Sequence, residues 1–318
     1  MQSDAAADGG HVGCFGWCMF DYPTHKDFGS GDRVCYHGVM DAFRNPKPAA
    51  ALYASQGEGT TVLTACTPMD IGDYPGGQIG DSAVLTNADS VRLYKNGNYV
   101  TTLRTGDYPG LPHPPMILDD IIGELLETQE GFDEKKADLL RACLLAVRKH
   151  GLAHLPPADL ARMGVAMTKY GLTFADAQKL YGKYVGNWGG ESTVWRLDAL
   201  KGGKVVSSVT LCPSTKLHLE VTPSHTELTE RDTYDMAAVR VRILDEYGSP
   251  APYAQLPVTF RLEGAAELVG PETAAAEGGM TGTYVRTTGQ TGTAVLTVST
   301  SQTEAVRIAF TVGRKPER

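Results

Sequence analysis

Residues 13–56, GCFGWCMFDYPTHKDFGSGDRVCYHGVMDAFRNPKPAAALYASQ, concentrate the side chains able to do chemistry. The apolar run Gly13–Phe20 reads as a strand buried on both faces, and Trp17 lies near its C-terminal end. The following loop, Asp21 to Gly38, holds Asp21, Tyr22, His25, Lys26, Asp27, Asp32, Arg33, Tyr36 and His37. Polar groups at the C-terminal end of a parallel strand are where barrel enzymes place substrate contacts. Trp17, Asp21, His25, Asp27 and Arg33 are therefore the candidate ligand contacts. Each polar member has an equally good plain reading, a hydrogen bond that holds a long loop in shape. Beyond the loop, Arg44-Asn45-Pro46-Lys47 leads into AAALYASQ, a helix for which proline suits the first turn.

The elements that must carry this site change character along the chain. Residues 1–57 read as one strand, one loop and one helix. From Thr60 to Leu103 the pattern is β, with a hairpin at Lys95-Asn96-Gly97-Asn98. Pro112, Pro114 and Pro115 then break the strands, and four helical patterns follow in an insert over 112–187. The first is Met116 to Gln129, with Ile117, Ile121, Ile122, Leu125 and Leu126 on one face. The second, Asp133 to His150, begins acidic, ends basic and is followed by Gly151. The third runs from Pro156-Pro157 to Gly171, and the fourth starts at Thr173 as N-cap. Strands return at Ser192, with a second hairpin at Lys201-Gly202-Gly203-Lys204, so that 58–222 form a β-sandwich carrying the helical insert. KLHLEVTPS either completes that sandwich or starts a linker. From 223 to 318, alternation such as Val239, Val241, Ile243 against Arg240, Arg242 predicts an immunoglobulin-like β-sandwich without the Cys–Trp–Cys spacing of antibody domains. The repeated Gly-Asp-Tyr-Pro-Gly at 72–76 and 106–110 reads as two turns.

Composition excludes several classes of function. With 318 residues, 42% hydrophobic and 21% charged, the chain has room for two or three globular domains. Its net charge of −8 and lack of basic runs argue against a nucleic-acid or anionic-membrane partner. No apolar stretch is long enough to span a bilayer, and MQSDAAADGG lacks the features of a signal peptide. Cys14, Cys18, Cys35, Cys66, Cys143 and Cys212 form no C-x-x-C pair, and the histidines show no metal spacing, so no metal and no cofactor are expected. Scattered free thiols favour a reducing, cytoplasmic compartment. Trp188 and Trp195 read as sandwich core rather than a second site.

GWCMFDYPTHKDFGSGDR followed by GVMDAFRNPK resembles the end of the catalytic barrel in family 2 glycoside hydrolases of the bacterial β-galactosidase branch. The resemblance implies that residues 1–57 are the last βα unit of a (β/α)8 barrel. It also implies that Trp17 forms part of the wall around a bound sugar, whose C–H faces pack on aromatic rings. The parent reaction would be retaining hydrolysis of a β-galactoside by two glutamates on earlier barrel strands, which this chain does not contain. It would then be inactive alone and would need a separate N-terminal half carrying the rest of the barrel. In related β-glucuronidases an Asn-x-Lys motif precedes the glycine aligned with Gly38. Here Cys35-Tyr36-His37 stands there, which favours a neutral sugar. Exposed strand edges would favour self-association into a homo-oligomer. The rival reading is a non-catalytic carbohydrate-binding or assembly module.

Overall fold

A computed structural model describes residues 15–25, 27, 31, 33–70, 79–106, 110–186, 192–213 and 216–314. The chain is mainly β, and its described residues divide into two compact units, one of 51–213 and one of 15–50 together with 216–314. The second unit differs from the segment-by-segment division read from the sequence, because residues 15–50 pack with the C-terminal strands. Both copies of Gly-Asp-Tyr-Pro-Gly fall largely or wholly outside the described residues, as does Trp188.

In the second unit a two-residue ribbon, β1 (Tyr22–Pro23) with β2 (Val34–Cys35), precedes the helix α1 (Pro48–Ala54), which starts on Pro48, while Pro46 pairs in a bridge with Met40. The expected strand at 13–20 is corrected. Its described residues form only a parallel bridge, Phe20 to Met40, with Met40 N–H donating to Met19 O at 3.0 Å and Val39 N–H to Cys18 O at 3.1 Å. Alternate side chains Phe15, Trp17 and Met19 are 104%, 77% and 61% exposed, so the segment is not buried on both faces. One flank is occupied by residues 37–40, and among the described residues nothing covers the other face.

In the first unit β3 (Leu63–Ala65), β4 (Ser82–Thr86) and β7 (Met116–Leu118) form a three-stranded sheet. A four-stranded sheet has the order β6-β5-β8-β9, from β5 (Ser90–Lys95), β6 (Asn98–Leu103), β8 (Trp195–Lys201) and β9 (Lys204–Leu211). Asn96 and Gly97 turn the β5–β6 hairpin with φ of 49° and 80°, the backbone that Asn-Gly tolerates. Between β7 and β8 lie α2 (Leu125–Glu130), α3 (Glu134–His150), α4 (Pro157–Tyr170) and α5 (Phe174–Tyr181). The first predicted helix is thus mostly replaced. Met116 and Leu118 are buried and Ile117 is exposed, a period of two that pairs with β4, and Asp120 then caps a turn by accepting from the N–H groups of Ile122 and Gly123. The other three helices follow the sequence. Asp133 accepts from Lys136 N–H at the start of α3, Gly171 closes α4 in the left-handed region, and Thr173 with Asp176 forms a capping box at α5. Their apolar faces join the sheets in one core, Leu140, Leu144, Leu180 and Tyr184 meeting Val91, Leu93, Met116 and Trp195.

The C-terminal strands of the second unit form two sheets around a common core. One has the order β10-β12-β16-β14, from β10 (Leu217–Pro223), β12 (Met236–Asp245), β14 (Ala266–Val269) and β16 (Met280–Thr287). The other has the order β11-β18-β17-β13-β15, from β11 (Glu227–Glu230), β13 (Pro257–Gly264), β15 (Thr273–Ala275), β17 (Gly292–Ser299) and β18 (Val306–Arg314). Val239, Val241 and Ile243 are fully buried, as their alternation predicts, and they meet Phe260, Leu296 and Phe310 from the facing sheet. KLHLEVTPS resolves as β10, an edge strand of this unit paired to β12.

One polar group sits deep in the first unit. Lys95 Nζ lies 5.4 Å from the centre of the buried Trp195 ring and donates to Lys183 O at 3.1 Å. Burial, with a smaller contribution from the Lys183 charge, lowers its pKa from 10.5 to about 8. Between those values the unfolded chain binds the proton better than the folded one. The buried charge therefore costs stability below about pH 8, and that cost fades as pH rises toward 10.5. In paired urea titrations, wild type should gain on the order of 2 kcal/mol relative to Lys95→Met between about pH 7.5 and about pH 10. A difference that stays flat across that range would contradict the assignment.

Candidate functional site

The candidate residues meet around Gly38. A Cβ at this position would collide with the backbone atoms Asp21 N, Met40 O and Phe20 C, so the two chain segments approach as only glycine allows. Gly38 N–H donates to Asp21 Oδ1 at 2.9 Å, and Lys47 Nζ reaches the same oxygen at 2.7 Å. Asp21 is 6% exposed, so its carboxylate is buried and compensated by one cation and one amide. Lys47 also donates to Tyr36 O at 3.3 Å and lies 5.8 Å from the Tyr36 ring centre. The structure thus places Asp21 in the loop-holding arrangement that was the plain reading of this residue.

Trp17 stands on the outside of this knot. Its indole N–H donates to the Tyr22 hydroxyl at 3.2 Å, and the two rings meet edge to face at 89° with centres 6.4 Å apart. A hydrogen bond with Cys35 raises the Tyr22 phenol above its ordinary pKa, and the Trp17 indole pulls it the other way. The loop between β1 and β2 is closed by Thr24, whose N–H and hydroxyl both donate to Arg33 O, at 2.7 and 3.2 Å. Arg33 adopts a positive φ of 59°. His25 Nδ1 accepts from Asp27 N–H at 3.2 Å and lies 3.9 Å from the Asp27 carboxylate, with both side chains largely exposed. Lys26 and Asp32 lie outside the described residues. Of the five predicted contacts, Trp17, His25, Asp27 and Arg33 are therefore at the surface and Asp21 is inside.

Sequence reasoning passed over Gly38 as a packing residue, and over Lys47 and Asn45, which it assigned only to the start of a helix. Lys47 is in fact the counter-ion of Asp21, and Asn45, 1% exposed, bonds to Asp41 and to Thr281 O. The available signal was the pairing of one buried-looking aspartate with a lysine just before a helix, which no local pattern distinguishes from a solvated charge. Asp41 has the second carboxylate near this knot. It accepts from Phe43 N–H, Asn45 N–H and Asn45 Nδ2, and burial raises its pKa above the ordinary carboxylate value. Among the described residues no cluster of three or more His, Cys, Asp or Glu could hold a metal ion, and no helix is long and apolar enough to cross a membrane.

Residues 219–309 match the family model of glycoside hydrolase family 2 C-terminal domain 5. The β-galactosidase of Thermoanaerobacterium thermosulfurigenes is 30% identical over 284 residues, which is 88% of this chain and 32% of that protein. The β-galactosidase of Thermoanaerobacter pseudethanolicus is 29% identical over 291 residues, 90% of this chain and 31% of that protein. Among solved structures, a β-glycosidase from Bacteroides vulgatus superposes with a TM-score of 0.57 at 16% identity, covering 93% of this chain and 30% of that one. A β-glucuronidase from glycoside hydrolase family 2 gives 0.59 at 15% identity, covering 98% of this chain and 26% of that one. The fold and the matches together define a glycoside hydrolase part. More particularly, the chain is a C-terminal portion of a family 2 glycoside hydrolase. It spans less than a third of the length of these two β-galactosidases, 32% and 31%.

The knot gives a direct test. Gly38→Ala should open the contact between residues 18–21 and 37–40 and destabilise the second unit by about 2–4 kcal/mol. Lys47→Met, which strands the buried Asp21 charge, should cost on the order of 2 kcal/mol. Both are read by chemical denaturation followed through tyrosine and tryptophan fluorescence. Substitutions that leave the midpoint where it was would show that the knot carries no stability.

Proposed function

We propose that the chain supplies one wall of the sugar site of a retaining β-galactosidase, with Trp17 as the aromatic platform. On this reading residues 1–57 are the last βα unit of a (β/α)8 barrel and 223–318 an immunoglobulin-like domain. The observation that carries the proposal is the exposure of the apolar side chains Phe15, Trp17 and Met19 in the segment just before the polar loop that carries the exposed His25, Asp27 and Arg33. Such a segment loses roughly 25 cal/mol for each Å² of apolar surface left in water, so it is suited to be covered by neighbouring strands and by a ligand. The β-galactosidase names of the relatives support the substrate class. A neutral sugar is further supported by Cys35, buried at 3% exposure where a carboxylate-binding group would be needed, and by Lys47, whose ammonium is already engaged by Asp21.

Retaining hydrolysis needs two carboxyl groups about 5 Å apart, one to attack the anomeric carbon and one to protonate the leaving oxygen and later activate water. Asp21 and Asp41 are both committed to internal hydrogen bonds, which supports the reading that the catalytic pair comes from a segment outside these residues. Trp17 would then orient the sugar ring, and His25, Asp27 and Arg33 would meet its hydroxyls or those of the aglycone.

The purified 318-residue chain should leave aryl β-galactosides and aryl β-glucuronides intact. Assembly with the polypeptide encoded immediately upstream should give β-galactosidase activity, and Trp17→Ala in that assembly should lower kcat/KM by about a hundredfold. Turnover by the chain alone that survives repurification, or an assembly indifferent to Trp17→Ala, would overturn the proposal. Tight galactose binding by the chain alone, with no activity in the assembly, would favour a carbohydrate-binding module instead.

A further inference from the structure

Residues 41–47 join the Trp17 segment to the C-terminal strands, and they do so through side chains chosen for close fit. The Phe43 ring lies against Gly282 in the middle of β16, where an added methyl would come 2.6 Å from the Phe43 Cβ and Cγ and equally close to Val239 O of the neighbouring strand. Glycine inside a strand forfeits side-chain packing and costs conformational entropy, so its presence there marks a close approach. Tyr284, two residues on and on the same face of β16, holds its ring centre 5.8 Å from that of Phe43, and its hydroxyl donates to Ala42 O at 2.9 Å. Asn45 completes the contact. Its Nδ2 donates to Asp41 Oδ2 at 2.7 Å and to Thr281 O at 2.9 Å. Two acceptors on one side fix the orientation of the amide, since the flipped group would point its oxygen at a carboxylate and a carbonyl. The price of this orientation is a buried Oδ1 with no partner, which a purely space-filling residue would avoid.

From this contact an unbroken series of bonds leads to the candidate site. Lys47 N–H donates to Val39 O at 3.0 Å, and its ammonium holds Asp21 at 2.7 Å. Asp21 holds Gly38, and the N–H groups of residues 39 and 40 donate to Cys18 O and Met19 O, the two residues that follow Trp17. We propose that β16 is a positioning surface for the carbohydrate site. Asn45, Phe43 and Tyr284 set where the Trp17 segment lies, acting through Lys47 and Asp21, and none of the three touches the ligand. The consequence for function rests on the reading of Trp17 as a sugar platform, whereas the coupling itself does not.

The test uses the full 318-residue chain labelled with 5-fluorotryptophan, the Trp17 resonance being assigned by Trp17→Phe. In Asn45→Ala, amide exchange at Gly38, Met40 and Lys47 should accelerate at least about tenfold, while β12 and β17 keep their wild-type rates. The Trp17 resonance should shift or broaden and the Trp195 resonance should stay. Tyr284→Phe, which keeps the ring and removes only the bond to Ala42, should give the same pattern more weakly, and it carries the test if Asn45→Ala does not fold. Wild-type exchange at Gly38, Met40 and Lys47 in the folded variants would overturn the coupling. So would protection lost in step across the whole sandwich, since the contact would then serve stability alone. The sugar reading fails separately, if isopropyl β-thiogalactoside leaves the wild-type Trp17 resonance of the active assembly unmoved.

Discussion

The absence of a side chain at Gly38 is the constraint on which the site segment depends. Without it the backbone at residues 20–21 and 38–40 could not come together, and the Asp21 carboxylate would have no amide to accept from. A buried carboxylate is tolerated only when its lost hydration is replaced, and here one N–H and one ammonium replace it. The ammonium belongs to Lys47, on the far side of the loop and next to the helix that follows. One buried charge pair therefore ties together the segment that carries Trp17, the end of the polar loop and the entry to α1.

The same knot separates the polar residues into two roles. Asp21 turns inward and works on the loop itself. His25, Asp27 and Arg33 remain at the surface, in a loop that a pair of hydrogen bonds from Thr24 to Arg33 O closes at its base. Phe15, Trp17 and Met19 are exposed, whereas the backbone of residues 18–21 is bonded to residues 37–40. A segment satisfied along one edge and apolar on an open face is built to be covered.

The first unit solves a different problem. Its sheets are small, three and four strands, and the helices supply much of the apolar surface that closes its core. The polar groups admitted there are matched to helix ends: Arg148, in the last turn of α3, bonds to Ile79 O and Asp119 O, and Lys95 bonds to carbonyls of the turn after α5. Glu130 meets Lys183 at 2.5 Å and the Tyr184 hydroxyl at 2.6 Å; burial, with the Glu130 hydrogen bond, pushes that phenol up to about 12. Lys95, on β5, ties the insert to the strands by directed bonds, where apolar packing alone would allow sliding.

Local signals determined much of this protein. The Asn96-Gly97 and Gly202-Gly203 hairpins, the caps at Asp133 and Thr173, the stop at Gly171 and the alternation of Val239, Val241 and Ile243 act within a few residues, so a linear reading contains them. The run GWCMFDYPTHKDFGSGDR likewise carried the family resemblance. Other features were decided only in three dimensions. Met116–Leu118 has helical spacing with the residues after it, yet it became a strand because the edge of β4 offered backbone partners that a helix would not use. The apolar run around Trp17 looked buried on both faces, because hydrophobicity records what a segment would bury and not what is present to cover it. Asp21 looked like any other polar loop residue until Lys47, 26 positions away, reached its oxygen. Gly38 and Gly282 carry no pattern at all, since what they contribute is the space that other segments occupy. Contacts between distant residues depend on where the backbone travels, and that path is a property of the whole fold.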